Sequence, residues 1–542
     1  MRPQTVLGTA AAPRHFAFAV ALATLGPVCT VTAQVAGSEA LEQEVLALTI
    51  EDALQIALSN NLRLAVEEVS AETAEFDRRG SWGAFDPVFT VTGSYQEAEE
   101  PQANVVISGV PVVENDSLTL DTSFTAPLTS GGSFRVGFTE VLTDTNNQGI
   151  EQLFPDGTFA NAVLSAGYTQ PLLRGAWSRA ATADQREAEI EARVRNAQLQ
   201  TVRDTVLTDV SNAYWDLVAA REEEGVRLHA LDLAREQLAQ NSERLRVGVG
   251  TEVDVLQAET QVAQEEERLL RAGADVRARS DALKTLILRR ADERDDAWSE
   301  FLDLWELPVE PLTALPAVEA TPEEDLDGFL WRAALDDALD LRPELLQALY
   351  EIDRAQVRLD RAAADRLPGL DLTLDASSGS FEDTVADAFE TATELDFMTY
   401  RGSLGLEVPL GNRAARFAER SARAGLRSAR LQLEQAETDV VNEIRAAIRN
   451  VEVEARAVLA AGKTRAFTER QLEAEQIRYQ EGLATTFQVL DFQQQLAQAE
   501  SAEKAALAAH AKALVALERA RGTIHESFRE RLRAAAGAGG AQ

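Results

Sequence analysis

Apolar residues recur every seven positions along two long stretches of this chain, and that period leaves few folds open. Val210, Leu217, Leu231, Leu238 and Leu245 share one heptad position, interrupted by Glu224. Val206, Ala213, Ala220 and Ala234 fill the partner position, interrupted by Arg227. After a short break, Val255, Val262, Leu269, Val276 and Leu283 continue in sevens. Sustained sevens specify coiled-coil packing, and alanine at one seam position lets helix axes approach closely. As one helix, the run from about Arg174 to Val247 would be about 110 Å long. A compact globule has no place for that length, whereas a rod or tunnel does. Hydrophobic residues make up 45% of the chain but aromatics only 6%, the signature of an Ala/Leu/Val-rich helical protein.

The break between the stretches belongs to an internal repeat. RLRVGVGTEVDVLQAETQVAQEE, from Arg244, aligns without gaps with RYQEGLATTFQVLDFQQQLAQAE, from Arg478. The pairs include Arg244/Arg478, Gly248/Gly482, Thr251/Thr485, Val255/Val489 and Leu256/Leu490. Upstream, ALSNNLRL from Ala57 matches ALDLRPEL from Ala338, with Pro87 and Pro368 at the same offset. YTQPLLRG from Tyr168 matches LEVPLGNR from Leu406. Each half therefore reads helix, strands, Pro-Leu turn, long helix, tip motif, long helix, and duplication is the simplest explanation. In the tip motif, glycine suits the left-handed cap that ends a helix. The threonine three residues later suits the N-cap of the next one.

Period-two alternation bounded by Gly, Pro, Asn or Asp marks strands. The first half offers residues 88–95, 117–125, 133–141 and 162–170; the second offers 370–376 and 400–408. The first patch is longer, which points to an extra hairpin or a large external loop. One apolar face per strand suits a membrane barrel. The segment 291–325 is acidic and Pro-interrupted and carries Trp298 and Trp305, so it reads as a connector packing outside the helices. Residues 531–542 read as a disordered, low-complexity tail.

The N-terminus has the pattern of a secretory signal. Arg2 and Arg14 form its basic region, Phe16 to Leu25 its apolar region, and Val31-Thr32-Ala33 a small-residue cleavage site near residue 33. Cys29, the single cysteine, would leave with it. Pro27-Val28 is a poor match to the residues that precede a lipidated cysteine. No later uncharged apolar run approaches the roughly 20 residues of a membrane helix. An exported chain of this kind is periplasmic, secreted or an outer-membrane barrel.

The formal net charge of −37 argues against a nucleic-acid partner, which needs a Lys/Arg excess. It suits cationic ligands, a cation-attracting lumen or simply a solvated helix surface. Val247-Gly248-Val249-Gly250 lacks the preceding strand and third glycine of a dinucleotide loop. Asp144, Asn146, Gln148 and Gly149 resemble half a calcium loop, but its twelfth position is Pro155. His15, His229, His510 and His525 do not pair at metal-ligand spacing, and no nucleophile elbow or P-loop is present. No catalytic residue, cofactor or metal is expected.

Taken together, RVGVGTEVDVLQAE, RYQEGLATTFQVLDFQ, DVSNAYWDLVAARE, YTQPLLRG and RPELLQALYEIDRAQ resemble the TolC family of outer-membrane efflux proteins. The resemblance spans essentially the whole mature chain. It implies a mainly α subunit with a β-barrel part, built from two repeats, 34–290 and 326–530. Strands at about 86–172 and 369–409 would supply four barrel strands per subunit. Helices at about 174–290 and 412–522 would form an antiparallel coiled-coil periplasmic tunnel. It implies a homotrimer in the outer-membrane lipid. Its expected partners are a periplasmic adaptor and an inner-membrane transporter of the RND or ABC type, for efflux or type I secretion. It places a periplasmic constriction at Asp254, Tyr479, Gln488 and Asp491, with Tyr479 donating to Asp254 and Asp491 forming an acidic ring. Arg244, Gly248, Thr251, Leu256, Arg478, Gly482, Thr485 and Leu490 would form the tip turns that dock the adaptor. Gln488 and Ala484 depart from the family pattern, where a second ring aspartate and an arginine link stand; the constriction would be less charged and less firmly latched. The rival reading is a structural periplasmic coiled coil without a pore. A porin-like uptake role fails on strand count.

Overall fold

The structure is a computed structural model that describes residues 45–102, 108–289, 295–318 and 326–539. The signal segment with Cys29 lies outside those residues. Two helices dominate: α3 (Ala183–Arg246, 64 residues) and α9 (Arg413–Gln480, 68 residues). At 1.5 Å per residue each is about 100 Å long. The first starts later than the sequence suggests, because Gly175 and Trp177 both take positive φ and turn the chain before it. α4 (Glu252–Ile287) returns along the lower part of α3, and α10 (Thr486–Arg521) returns along α9. α2 (Leu62–Gly80) and α7 (Pro343–Asp365) cover the upper parts, following α1 (Ile50–Asn60) and α6 (Leu326–Leu341) respectively.

The heptad residues do what their spacing implies. Val206, Val210, Leu217, Leu231 and Ala234 are buried along α3. Tyr214, fully buried, adds a polar anchor to this core. Its hydroxyl donates to the Leu48 carbonyl at 3.0 Å and accepts from the Thr313 amide at 3.0 Å. Those two bonds fix a small parallel pair, β1 (Leu46–Leu48) and β6 (Val309–Pro311), against the helices. Ahead of β6, helix α5 (Asp295–Glu306) is tied to α4 through buried Lys284, whose ammonium donates to the Trp305 carbonyl at 2.6 Å. Within the connector, the described residues are helical over 295–306 and form a strand over 309–311. The expected disordered tail is instead helical as far as Gly539, as the end of α11 (Ile524–Gly539). Its alanines are good helix formers.

The remaining strands form one antiparallel sheet in the order β2-β3-β4-β5-β7-β8. They are β2 (Val88–Pro101), β3 (Val112–Pro127), β4 (Ser133–Thr145), β5 (Thr158–Pro171), β7 (Gly369–Glu382) and β8 (Met398–Glu407). Among the described residues the sheet therefore has six strands where the family resemblance implied four. The first half supplies two full hairpins because residues 112–145 alternate well enough to pair with β2 on one side and β5 on the other. Directly paired residues share a face, so the register sorts the sheet. Phe89, Phe124, Val136, Ala166, Ala376 and Tyr400 make one continuous row. The adjacent row on the other face is Thr90, Ser123, Gly137, Ser165, Ser377 and Thr399. One face is apolar, the other polar. Helix α8 (Val385–Glu394) lies on the apolar face, with Ala388 and Ala392 against Ala160 and Ala162, and Phe389 edge-on to Phe138 at 5.2 Å.

Tyr214→Phe should destabilise the protein by about 1–3 kcal/mol, because it leaves the half-buried Thr313 amide without this acceptor and removes one of the two bonds to the Leu48 carbonyl, which keeps the Leu312 amide. Amide hydrogen exchange should localise the loss to β1, β6 and the segment around Thr313.

Candidate gate and docking site at the helix tips

Each helical hairpin ends in the same backbone device. In the first, Gly248 takes φ +81°. The Gly248 amide donates to the Leu245 carbonyl at 3.0 Å, and the Val249 amide to the Arg244 carbonyl at 2.9 Å. In the second, Gly482 takes φ +75°. Its amide donates to the Tyr479 carbonyl at 3.1 Å, and the Leu483 amide to the Arg478 carbonyl at 2.8 Å. This is the paired bond of a Schellman stop, where a side-chain-bearing residue would be strained. Arg244 and Arg478 thus hold equivalent places as the acceptors that close each helix.

The returning helices start with capping boxes. The Thr251 hydroxyl accepts from the Asp254 amide at 3.2 Å, while the Asp254 carboxylate accepts from the Thr251 amide at 3.1 Å and hydroxyl at 2.6 Å. Thr485 and Gln488 repeat the arrangement, with Gln488 Oε1 2.8 Å from the Thr485 amide. The Asp254 and Gln488 side chains are therefore engaged as cap partners. Hydrogen bonds from Thr251 hold the Asp254 carboxyl below its ordinary range, assisted by Thr486 and the charge of Arg244.

Between the hairpins lies a buried polar cluster. The Tyr479 hydroxyl donates to Asn241 Oδ1 at 2.7 Å and lies 3.3 Å from the Thr486 hydroxyl. Gln237 donates to the same Asn241 oxygen at 2.8 Å, and Asn241 Nδ2 donates to the Asp254 carbonyl at 3.0 Å. The Arg244 guanidinium stacks 4.5 Å from the Tyr479 ring centroid and donates to the Tyr479 carbonyl at 3.2 Å. Within the subunit, then, Tyr479 does not donate to the Asp254 carboxylate as expected. That carboxylate is occupied by its cap, and Asn241 intervenes. Sequence reasoning missed Asn241, although it falls on the seam of Val206, Ala213, Ala220, Arg227 and Ala234. A polar residue at such a position fixes register.

The other expected residues separate. Asp491 is exposed on α10, and its carboxylate accepts only from Gln495 among the described hydrogen bonds, at 2.7 Å. Leu256 is 61% exposed while its repeat partner Leu490 is 8% exposed, so equivalent leucines serve different purposes. Val247, Val249, Val253, Leu483 and Phe487 join Leu256 in an exposed apolar surface around the two turns. Among the described residues, no cluster of His, Cys, Asp and Glu is placed to hold a metal.

Asn241→Ala should loosen the tips, leaving the Tyr479 hydroxyl and the Gln237 amide without their shared partner at a cost of about 1–3 kcal/mol. Hydrogen exchange at residues 478–490 should accelerate while exchange in β1 and β6 stays unchanged.

The comparisons with known proteins agree with this architecture. The family model described as outer membrane efflux protein matches residues 53–287 and 334–523, which together are most of the chain. The pyoverdine export outer membrane protein OpmQ of Pseudomonas aeruginosa is 26% identical over 444 residues, covering 80% of this chain and 82% of its own. Among solved structures, the outer-membrane channel OprN superposes with a TM-score of 0.62 at 18% identity, covering 88% of this chain and 90% of its own. The CmeC outer membrane channel of Campylobacter jejuni gives 0.62 at 15% identity, covering 89% and 88%. At those identities the two structures speak for the fold alone. The family match shows what the fold is used for: the chain belongs to the outer membrane efflux protein family, and is an outer-membrane efflux channel subunit with a large periplasmic part.

Proposed function

We propose that the protein is a passive export duct that works as a homotrimer, taking cargo from a periplasmic adaptor coupled to an inner-membrane transporter. The carrying observation is that an apolar-faced sheet with two unpaired edges and hairpinned helices of about 100 Å share one subunit. Neither part is complete alone. Among the described residues, β2 and β8 end the sheet with their outer edges open, and apolar side chains on the helices are left exposed. Leu62, Val66, Val69 and Phe76 form an exposed stripe on α2; Phe417, Leu431, Val453 and Phe467 form another on α9. Both stripes recur at helical spacing, which suits packing against copies of the same chain.

The tips are the gate in this reading. Tyr479, Asn241 and Arg244 hold the second hairpin against the first, and opening requires their separation. Asp491, exposed and without a cationic partner among the described ion pairs, faces solvent near the tip. Brought around a threefold axis, three such carboxylates would favour cations in transit. The exposed apolar residues beside Gly248 and Gly482 are the natural surface for the adaptor. Energy comes from the transporter, of the RND or ABC type, the latter extending the role to type I secretion.

Fractionation and cross-linking test the assembly: the full chain should sediment with outer membranes and cross-link up to three copies. A detergent-free soluble monomer would instead support a structural coiled coil without a pore. In planar bilayers, Asp491→Ala should reduce cation selectivity about two-fold or more, following the role of acidic rings in cation channels. Unchanged selectivity and conductance would remove Asp491 from the conducting path.

A further inference from the structure

The β3–β4 hairpin separates this subunit from the four-strand pattern that its family resemblance implies, and its position bears on the size of the pore. We infer that all six strands stand in the membrane wall. Three copies would then close an eighteen-stranded barrel, with β8 of each copy pairing with β2 of the next. The inference rests on the trimeric duct proposed above.

Three observations place the hairpin in the wall. First, its strands pair along nearly their full length with both neighbours: β2 with β3 from Val88↔Thr125 to Pro101↔Val112, and β4 with β5 from Ser133↔Thr169 to Asp144↔Thr158. At 16 and 13 residues, β3 and β4 exceed the roughly 9–11 that a tilted strand needs to cross lipid. Second, they alternate in phase with the rest of the sheet. Leu118, Phe124, Val136 and Leu142 fall on the apolar face, while Asp121 and Arg135 fall on the polar one. An external flap has no reason to keep that phase. Glu140 interrupts the apolar face, at the level where Ala162, its direct partner on β5, is covered by helix α8.

Third, the turn between the strands is anchored at the tunnel end of the sheet. Gly131 takes φ +85°, and a Cβ there would lie 2.3 Å from the Gly175 carbonyl oxygen. The Ser130 carbonyl accepts from the Trp177 amide at 2.9 Å and from Gln170 Nε2 at 3.0 Å. The Ser130 hydroxyl donates to Gln170 Oε1 at 2.8 Å. Gln170 is the penultimate residue of β5, and Trp177 lies just before α3. The hairpin therefore spans the same height as its neighbours, from the outer loops to the start of the helices.

The edges fit closure by copies of this chain. β8 runs toward the helices and β2 away from them, so β8 of one copy meets β2 of the next antiparallel. At a spacing of about 4.8 Å and a tilt of about 40°, eighteen strands give a backbone diameter of about 36 Å, against about 24 Å for twelve. Barrels of the wider class leave an open aqueous channel. Restriction of cargo then falls to the helix tips alone.

Single-cysteine variants of the full chain in outer-membrane vesicles test this, with the parental chain as labelling control. The pairs are Thr119→Cys and Leu118→Cys on β3, Arg135→Cys and Val136→Cys on β4, and Ser165→Cys and Ala166→Cys on β5. A membrane-impermeant maleimide should label Thr119→Cys, Arg135→Cys and Ser165→Cys about tenfold or more faster than their neighbours, the pattern of lumen-facing against lipid-facing positions. Equal labelling within the β3 and β4 pairs, with alternation kept on β5, would put the hairpin outside the bilayer and overturn this inference alone. Loss of alternation on β5 as well would overturn the duct itself. Native mass measurement of the extracted assembly should give three copies; two copies would close only twelve strands and would also refute the count.

Discussion

A strand edge in hydrocarbon leaves a row of amide and carbonyl groups without partners, and each such group costs several kcal/mol. No described helix of this chain is long and apolar enough to cross a membrane. Among the described residues the sheet ends in two open edges, β2 and β8. From that constraint the rest of the architecture follows. In the duct proposed above, further strands close the wall; because the strands are joined to the long helices at Pro171 and beyond Glu407, the same closure would gather the helices into a bundle.

The helical part obeys a different economy of contacts. α3 is the central element, packed by α4 below, by α2 above, and by α7 and α10 of the other half. Its alanines at alternate seam positions allow that crowding. α9 keeps more of its apolar side chains exposed, because fewer elements of its own subunit reach it. Ion pairs such as Arg354–Glu191 at 2.7 Å and Arg366–Glu419 at 2.8 Å tie α7 to both long helices and align the halves. They lie at or near the surface, where alignment matters more than their modest energies.

At the tips, rigid backbone turns carry a separable side-chain contact. The Schellman stops and capping boxes satisfy the groups that every helix end leaves free. The side chains of Tyr479, Asn241 and Arg244 join one hairpin to the other, while the Arg244 and Tyr479 carbonyls accept the bonds that close the turns. In the gate proposed above, the hairpins survive while the side-chain contact between them breaks.

The sequence by itself determined the local devices and the repeat. Heptads gave the long helices, Gly248 and Gly482 their stops, Thr251 and Thr485 their starts, and period-two alternation the strand segments, because each depends on residues a few positions apart. Only the tertiary structure decided what those devices touch. Leu256 and Leu490 occupy the same place in the repeat, yet one is exposed and the other buried, because α10 packs against both long helices while α4 packs mainly on α3. Tyr479 meets Asn241 rather than the Asp254 carboxylate, since the capping box claims that carboxylate first. The residues of β3 and β4 were legible as strands, but their place between β2 and β5 depended on pairing across the sheet. Strand order and burial are set by partners distant in sequence, and local spacing does not encode them.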